Sequence, residues 1–227
     1  EINRRFWNSR VHVHYASQFY DVEGFLAGRS TLTRIDQEVL SDVRDQSLVH
    51  LQCHFGLDTL SWARMGALAT GVDISDESIR AARDLAAKAN LQAEFCRADV
   101  YDADKLLSRE FDIVYTSWGA LIWLPDMNRG ANVVNKLTRP GGYVYINEFH
   151  PVTYMFNDSF EAIEYSYFNH NDGYKETSSD TYTDHDEPLP DLPNVTFDHS
   201  IAEIVSAMLD RRFVLIQMSE YDFSPYN

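Results

Sequence analysis

The most informative pattern of hydrophobic and polar positions lies between Leu48 and Asp73, in the segment LVHLQCHFGLDTLSWARMGALATGVD. A short apolar run with little polar interruption opens it, which is typical of a strand buried on both faces of a parallel sheet. Gly56 then supplies a residue without Cβ at a sharp turn, and apolar residues at helical spacing follow. A second apolar run ends at Val72 and Asp73. The pattern predicts a strand, a loop, a helix and a second strand, the order of a nucleotide-binding βαβ unit.

Similar segments continue on both sides of this unit and extend the same architecture. Apolar residues at helical spacing predict helices, and short apolar runs bounded by turn residues predict strands. We therefore expect an α/β fold of the doubly wound kind, with a mostly parallel Rossmann-like sheet and helices on both faces. The predicted helices cover residues 31–45, Ser75 to Asn90, Met127 to Leu137 and Ser200 to Leu209, and the predicted strands cover Phe95 to Val100, Phe111 to Thr116, Tyr143 to Glu148 and Phe213 to Met218.

Two segments outside this regular pattern are rich in aromatic residues. Residues 1–30 predict an aromatic helix before the first strand, and residues 152–198 combine many acids with the single base Lys175. Alternating polar and apolar positions in the second segment predict a small antiparallel ribbon inserted after the fifth strand. We expect one domain overall, divided into a helical cap (1–45), an α/β core (46–150), an inserted lid (151–198) and a last helix and strand of the core (199–227).

The composition narrows the class of partner. Acidic residues outnumber basic ones by 35 to 19, for a formal net charge of −16 over 227 residues. Such a field repels phosphate backbones and anionic lipid surfaces, so we expect neither nucleic acid nor membrane as a partner. Cys53 and Cys96 lie near the ends of predicted strands rather than in a spaced framework, which is typical of reduced thiols. We expect a cytoplasmic protein, a monomer or homodimer, that acts on a small molecule.

Five motifs occur in a characteristic order: LVHLQCHFG, GVDIS, CRADV, FDIVYTSWGALIWLPD and LTRPGGYVYINEFHP. Together they resemble the class I S-adenosylmethionine-dependent methyltransferases, and the resemblance covers about residues 48 to 150. It implies S-adenosylmethionine as cofactor and S-adenosylhomocysteine as product. The first motif departs from the usual family pattern, because His50, Gln52 and His54 stand where most members have an acid and two further glycines before Gly56. Gln52 and His54 therefore either line the methionine end of the cofactor or point away from it.

The resemblance also assigns roles at the carboxyl ends of the predicted strands. Asp73 lies at about the interval after Gly56 at which a nucleotide-binding βαβ unit places an acid for the ribose hydroxyls. In the family, the acid at the position of Asp99 meets the adenine amino group. Each has a simpler interpretation as well, since Asp99 can cap the turn that follows it and Asp73 can cap the helix that begins near Ser75. The cofactor-binding residues implied are Tyr20, Arg29, Gln52, Cys53, Gly56, Asp73, Ile74, Asp99, Val100, Ser117 and Trp118.

Methyl transfer from a sulfonium requires alignment and exclusion of water, and a base only where the accepting atom carries a proton. His150 is the leading candidate for that base because imidazole titrates near neutrality, and Glu148 can orient or replace it. His150 is also expected to contact the substrate, together with Tyr15, Phe19 and Trp123. The alternative for all of them is structural: a helix packed on the sheet edge, a core tryptophan, or a histidine hydrogen-bonded at a strand end.

Two other functions fit parts of the pattern. Tyr101 and Lys105 match the tyrosine–lysine spacing of short-chain dehydrogenases, but the glycine-rich loop of that family is absent. A nucleoside-binding domain without catalysis, acting as a sensor or partner subunit, fits the altered first loop. His170 and the acids around His185 lack the spacing of metal ligands, so no metal site is expected.

Overall fold

A parallel sheet of five strands forms the centre of the molecule. The computed structural model describes residues 1–157, 159–170 and 172–224. The strand order is β3-β2-β1-β4-β5, and every neighbouring pair in this sheet is parallel. The strands are β1 Ser47–Leu51, β2 Leu68–Asp73, β3 Glu94–Arg97, β4 Phe111–Ser117 and β5 Thr138–Asn147. This arrangement confirms the predicted doubly wound α/β fold.

Several helices begin where the sequence supplies a side-chain cap. Ser75 accepts the backbone N–H of Ser78 with its hydroxyl at the start of α5, and Asp126 accepts that of Arg129 at the start of α7. Such side-chain acceptors satisfy amide groups that have no partner inside the helix. The helices are α1 Ile2–Ala16, α2 Val22–Leu26, α3 Arg34–Val39, α4 Leu57–Arg64, α5 Asp76–Ala89, α6 Ala103–Leu107, α7 Met127–Leu137 and α8 Ile201–Leu209, with 3-10 turns at Val100–Asp102, Leu121–Trp123 and Pro151–Met155.

Both faces of the sheet are buried by helices. On one face, Val49 and Val114 of the sheet pack with Leu137 of α7 in an apolar cluster that α8 completes. On the other face, Leu60 of α4 and Leu85 of α5 are fully buried in a second cluster. Burial on both sides explains why the central strands are continuous apolar runs rather than alternating ones.

The parallel register brings the carboxyl ends of the strands to one edge of the sheet. Leu51 of β1 pairs with Val72 of β2, so the first loop and Asp73 begin side by side. Ser117 at the end of β4 lies beside Asn147 at the end of β5. Open α/β sheets bind their ligands outside this edge, and the residues that follow these strands are the candidates for a site.

The N-terminal helix and the inserted ribbon pack against each other above this edge. The ribbon is a two-stranded antiparallel sheet of β6 Tyr174–Ser178 and β7 Leu192–Thr196, as predicted. Asn3 of α1 exchanges two hydrogen bonds with the backbone of Val195, donating at 2.8 Å and accepting at 2.9 Å. Arg4, on another side of α1, pairs with Asp76 at the start of α5. Helix α1 therefore lies between the ribbon and the core.

Buried Arg10 adds a second link between α1 and the inserted segment. Its side chain is fully buried and donates to the carbonyl oxygens of Ser178 and Pro190. The guanidinium also lies 3.8 Å from the centre of the Phe6 ring, a cation–π contact. Cap and ribbon thus form one covering layer.

Two sequence predictions of secondary structure are wrong. The helix expected over residues 31–45 is reduced to α3, because a capping box of Thr33 and Asp36 begins it and the chain leaves helical geometry at Leu40. The strand expected over Phe213 to Met218 does not form. Val214 and Ile216 there are 81% and 77% exposed. An apolar run of this kind becomes a strand only when another strand completes its hydrogen bonds.

Smaller differences concern the ribbon and the third strand. The alternating piece around Ile163 makes only an isolated bridge to Phe156, so the ribbon is shorter than its pattern indicates. The third strand ends at Arg97, and Val100 already belongs to a 3-10 turn. Within the described ranges, the helices are all too short or too polar to cross a bilayer.

Candidate active site at the carboxyl edge of the sheet

Asp73 is held rigidly at the end of β2. Its carboxylate accepts the backbone N–H of His54 in the first loop and that of Ser75 before α5, each at 2.8 Å. Burial raises the pKa of Asp73 to about 6, although these hydrogen bonds act in the opposite direction. The helix cap itself is Ser75, so the alternative role of Asp73 as a side-chain cap does not describe this helix. Asp73 instead fixes the first loop relative to β2.

Asp99 follows β3 and caps the 3-10 turn after it. Its Oδ1 accepts the backbone N–H of Tyr101 at 3.0 Å, which is the structural alternative that the sequence left open. The residue is nevertheless exposed, whereas Val100 beside it is buried in the core. The second carboxylate oxygen of Asp99 therefore remains accessible for a ligand. Ile74, directly after Asp73, is half-buried.

The first loop passes the sheet edge with side chains attached. Gln52 and His54 both have left-handed backbone conformations, with φ of 58° and 49°. The Gln52 side-chain amide donates to the carbonyl of Ala120 in the loop after β4, at 2.8 Å. Cys53 is a buried free thiol, and burial raises its pKa well above the usual value. Gly56 starts α4 with φ of 81°.

The loop after β4 is organised by Glu148. The Glu148 carboxylate accepts four backbone N–H groups: those of Gly119, Ala120 and Leu121 in this loop and that of Phe149. Burial raises the pKa of Glu148, while the four hydrogen bonds oppose the rise. The side chain therefore clamps the loop.

His150 also has structural partners. Its Nδ1 accepts the backbone N–H of Val152 at 3.2 Å, capping the 3-10 turn after β5. Its Nε2 lies 2.8 Å from a carboxylate oxygen of Glu220. Glu148 and His150 therefore already have partners in this structure, and their catalytic roles stay predictions.

Ser117 and Trp118 lie at the end of β4 in different surroundings. The buried Ser117 hydroxyl contacts Nε2 of His50 at 3.2 Å and the Asp58 carboxylate at 3.3 Å, within a polar network beneath the edge. Trp118 has a left-handed backbone (φ 39°) and donates its backbone N–H to the carbonyl of Asn147 at 2.7 Å. Of the two, Trp118 is the residue at the surface of the edge.

An aromatic cluster covers the first loop. The Trp7 ring lies 5.4 Å from the ring of His54 and 5.1 Å from that of Trp123, measured between centroids. Tyr20 lies 4.8 Å from Phe55, and its hydroxyl hydrogen-bonds to that of Tyr182 in the inserted segment. The structure thus brings the predicted Tyr20 and Trp123 together with three aromatic residues that were not assigned to the site.

A histidine pair lies within this cluster. Nε2 of His54 hydrogen-bonds to Nδ1 of His14 at 2.9 Å, and the other nitrogens contact Ser78 at 3.0 Å and Thr181 at 2.6 Å. Burial lowers the pKa of His14 to about 3 and that of His54 well below its usual value. Both rings are therefore neutral near pH 7. They connect α5, the first loop, α1 and the inserted segment.

Three other predicted residues lie at the margin of the cluster or outside it. Phe19 is 39% exposed, with its ring 5.7 Å from that of Tyr182. The Tyr15 hydroxyl accepts a hydrogen bond from Lys88 of α5 at 3.3 Å. Arg29 pairs with Asp21 at 2.5 Å on the surface.

Two of the unassigned residues carried a signal in the sequence. Trp7 and His14 are seven positions apart, so they lie two turns apart on the same side of α1. The 3.6-residue period of a helix over residues 1–16 therefore predicts that they share one face. Tyr182 and Thr181 carried no such signal, because their contacts with α1 span more than 160 residues of sequence.

The groups at the edge fit the nucleoside part of S-adenosylmethionine. Ribose hydroxyls and an adenine amine require acceptors, and the half-buried Asp73 carboxylate and the exposed Asp99 carboxylate are the acceptors at this edge. A Cβ at Gly56 would lie 2.6 Å from the Phe95 ring, so the turn accepts only glycine. Among the described parts of the chain, no group of three His, Cys, Asp or Glu side chains is arranged to hold a metal ion.

Sequence comparisons relate the chain to one kind of enzyme. A family model described as a methyltransferase domain matches residues 49–146. The ubiquinone biosynthesis O-methyltransferase of Klebsiella pneumoniae is 27% identical over 139 residues, which are 58% of this chain and 56% of the relative. The protein of the same name from Bordetella avium is 25% identical over 122 residues, 53% of this chain and 50% of the relative. The chain spans about half the length of the curated relatives it matches.

Solved structures share the fold over most of the chain. An S-adenosylmethionine-dependent methyltransferase from Clostridium acetobutylicum superposes with a TM-score of 0.57 at 13% identity, covering 93% of this chain and 87% of that one. A second, from Mesorhizobium loti, gives a TM-score of 0.55 at 19% identity and covers 83% of each chain. At these identities the likeness concerns the fold, and it agrees with the Rossmann-like sheet described above.

Proposed function

We propose that this chain is a class I S-adenosylmethionine-dependent methyltransferase that methylates an oxygen or nitrogen atom of a small molecule. The methyltransferase-domain model that matches residues 49–146 and the similarity to the Klebsiella pneumoniae O-methyltransferase support this proposal. The layer formed by α1 and the ribbon is the observation that supports a small acceptor. Helix α1 and the ribbon lie over the carboxyl edge of the sheet, and Trp7, Trp123 and Tyr182 form an aromatic wall there. A covered, aromatic site supports a small acceptor rather than a polymer.

Charge supports the same class of acceptor. The formal net charge of −16 opposes association with nucleic acid. The named relatives are O-methyltransferases, which supports an oxygen atom as acceptor. We place the protein in the cytoplasm as a monomer or homodimer, in keeping with its two free cysteines.

The residues of the edge have separable tasks under this proposal. Asp73 accepts the ribose hydroxyls and Asp99 the adenine amine, since carboxylate oxygens are hydrogen-bond acceptors. Gln52 and His54 fix the first loop beside the methionine end, and Trp118 borders the sulfonium, which an aromatic face attracts. The cofactor supplies an activated methyl group. The protein supplies alignment and exclusion of water, which the aromatic wall serves.

Thermal unfolding with separate ligands tests the proposal. S-adenosylmethionine and S-adenosylhomocysteine, each at about 100 times its dissociation constant, add roughly 2.7 kcal/mol of stability. At about 2–4 °C per kcal/mol for a chain of this size, that is a shift of roughly 5–11 °C. NAD is the control and is expected to leave the midpoint unchanged.

Acceptors are then screened by the release of S-adenosylhomocysteine from a panel of phenols, catechols and amines. Turnover of a panel member supports the proposed function. Binding of the adenosyl ligands without any turnover points instead to a domain that senses the nucleoside. A rise of the unfolding midpoint with NAD alone refutes the assignment of the carboxyl edge of the sheet as a site for S-adenosylmethionine.

A further inference from the structure

Asp198 is an acid that the sequence did not single out. It lies between β7 and α8, in a segment fastened to the loop after β4. The Phe197 backbone N–H donates to the carbonyl of Ile122 at 2.7 Å, and Nε2 of His199 contacts the carbonyl of Leu124 at 2.7 Å. Residues 197 and 199 therefore hold Asp198 beside the loop that follows β4.

The carboxylate of Asp198 is buried and incompletely paired. The residue is only 8% exposed, and its Oδ2 has no hydrogen-bond partner among the described residues. A buried carboxylate oxygen without a donor is costly, and native structures retain few such groups. The oxygen is therefore available to a donor that the protein does not itself provide.

Tyr154 is a further polar residue between Asp198 and the loop after β4. The Tyr154 hydroxyl would lie 3.7 Å from a Cβ built on Gly119, in the loop after β4. It is buried close to the Glu148 carboxylate without an aligned hydrogen bond. Burial raises the pKa of Tyr154 well above its usual value, and the charges of Glu148 and, less strongly, Asp198 add to the rise. Tyr154 therefore lies near Gly119 and Glu148 at the loop after β4, and within the electrostatic reach of Asp198.

Three other acids and bases close to the first loop and the loop after β4 already have hydrogen-bond partners. Both oxygens of Glu148 accept backbone N–H groups, and both ring nitrogens of His150 have partners. Asp73 is bound to the first loop and to the start of α5. Among these carboxylates and imidazoles, Asp198 is the one with a free buried acceptor.

We infer that Asp198 binds the O–H or N–H group of the methyl acceptor and takes its proton, an inference that rests on the proposed function. The bond between hydrogen and the acceptor atom breaks, and the proton passes to Oδ2 of Asp198. The electron pair stays on the acceptor atom and forms the bond to the methyl carbon. Bound S-adenosylmethionine would supply the methyl group, and its sulfonium sulfur would keep the electrons of the methyl–sulfur bond and lose its positive charge. Atoms and charges balance with no further reactant.

The titration of Asp198 suits this task. Burial raises its pKa to about 6, while the imidazoles of His199 and His170 act in the opposite direction. Tyr154, in the turn after β5, is close enough for the charge of Asp198 to act on its hydroxyl. The carboxylate is therefore ionised near pH 7 and still basic enough to accept a proton.

Asp198→Asn is the test, because it keeps the shape and removes the proton acceptor. With an acceptor from the screen, we expect kcat to fall by about 100- to 10,000-fold. We also expect the rise of kcat/KM through about pH 6 to disappear. The dissociation constant for S-adenosylhomocysteine should stay within twofold. Asp198→Glu retains a carboxylate and is expected to keep the pH-dependent rise at reduced kcat. Asp210→Asn, which removes an exposed acid after α8, is the matched control.

Stability gives a measurement that needs no acceptor. A carboxyl whose pKa is raised by folding stabilises the fold less as the pH rises through that pKa. Asp198→Asn is therefore expected to unfold at the same temperature as the wild type or higher at pH 7.5. A variant that unfolds earlier shows that Asp198 is structural and overturns the inference. An Asp198→Asn variant whose kcat stays within fivefold of the wild type, and whose kcat/KM still rises through about pH 6, also overturns the inference. A wild type that binds S-adenosylhomocysteine but methylates no acceptor refutes the proposed function and this inference together.

Discussion

Replacing Glu148 by glutamine separates a structural clamp from a catalytic group. Oε1 of Glu148 accepts the N–H groups of Gly119 and Phe149, and Oε2 accepts those of Ala120 and Leu121. Glutamine has a single acceptor oxygen, and its NH₂ group is a donor. In the Glu148→Gln variant, two of the four backbone N–H groups therefore lose their acceptor and face a donor instead.

The cost follows from the number of lost hydrogen bonds. Each buried donor left without a partner costs about 1–3 kcal/mol, so two cost about 2–6 kcal/mol. Neutral glutamine avoids the desolvation that raises the pKa of Glu148, which offsets part of this loss. We expect a destabilisation of about 2–4 kcal/mol, which lowers Tm by roughly 4–16 °C for a chain of this size.

Thermal and urea unfolding of the variant measure this loss. Glu220→Gln is the matched control, since it makes the same chemical change at the exposed partner of His150, and we expect it to shift stability by less than about 0.5 kcal/mol. A Glu148→Gln variant with the wild-type Tm and a large loss of turnover would refute the clamp. It would favour the catalytic role that the sequence predicted for Glu148.

Three further variants test the edge and its cover. Gly56→Ala places a Cβ on a left-handed backbone and against the Phe95 ring. Gly141→Ala is its control, because Gly141 has a similar φ but open space around it. Calorimetry should show Gly56→Ala to be about 1–3 kcal/mol less stable than Gly141→Ala, and equal losses would contradict the packing argument. Arg10→Met removes the hydrogen-bond donors that join α1 to the inserted segment. Limited proteolysis within residues 179–191 should therefore be faster in the variant. An unchanged cleavage rate would show that Arg10 does not hold the segment in place. Asp73→Asn should weaken S-adenosylhomocysteine binding by about 1.5–3 kcal/mol in calorimetric titration; unchanged affinity overturns its assignment to the ribose.

The sequence predicted the core well because local pattern and burial agree there. The segment from β1 to α5 combines apolar runs, a glycine turn and a Ser75 cap, and each is used as expected. The edge residues Gly56 and Asp73 could be placed for the same reason, since the register of parallel strands follows from the order of the elements. The segment around Val214 shows where the apolar pattern fails to predict secondary structure. Its pattern is that of a strand, but a strand forms only beside another strand that completes its hydrogen bonds.

The cover of the site was less predictable, because its contacts are distant in sequence. Asp198 looks like any acid of the acidic insertion, and only its position beside Ile122 and Leu124 shows that it is buried. No pattern in the sequence relates His14 to His54, forty residues later, yet the two rings are joined by a hydrogen bond. Side chains that meet across an insertion depend on how that insertion folds back, which periodicity within one element does not contain.

The first loop shows how the altered motif is compensated. Non-glycine residues in the left-handed conformation cost roughly 1–2 kcal/mol each, and Gln52 and His54 both adopt it. Glycine at these positions would avoid the strain, so the side chains must contribute something that glycine lacks. Gln52 joins the loop to Ala120, and His54 joins it to His14 and through it to the inserted segment. The variant loop is therefore strained but fastened on two sides, and any ligand that moves it also acts on the cover above the edge.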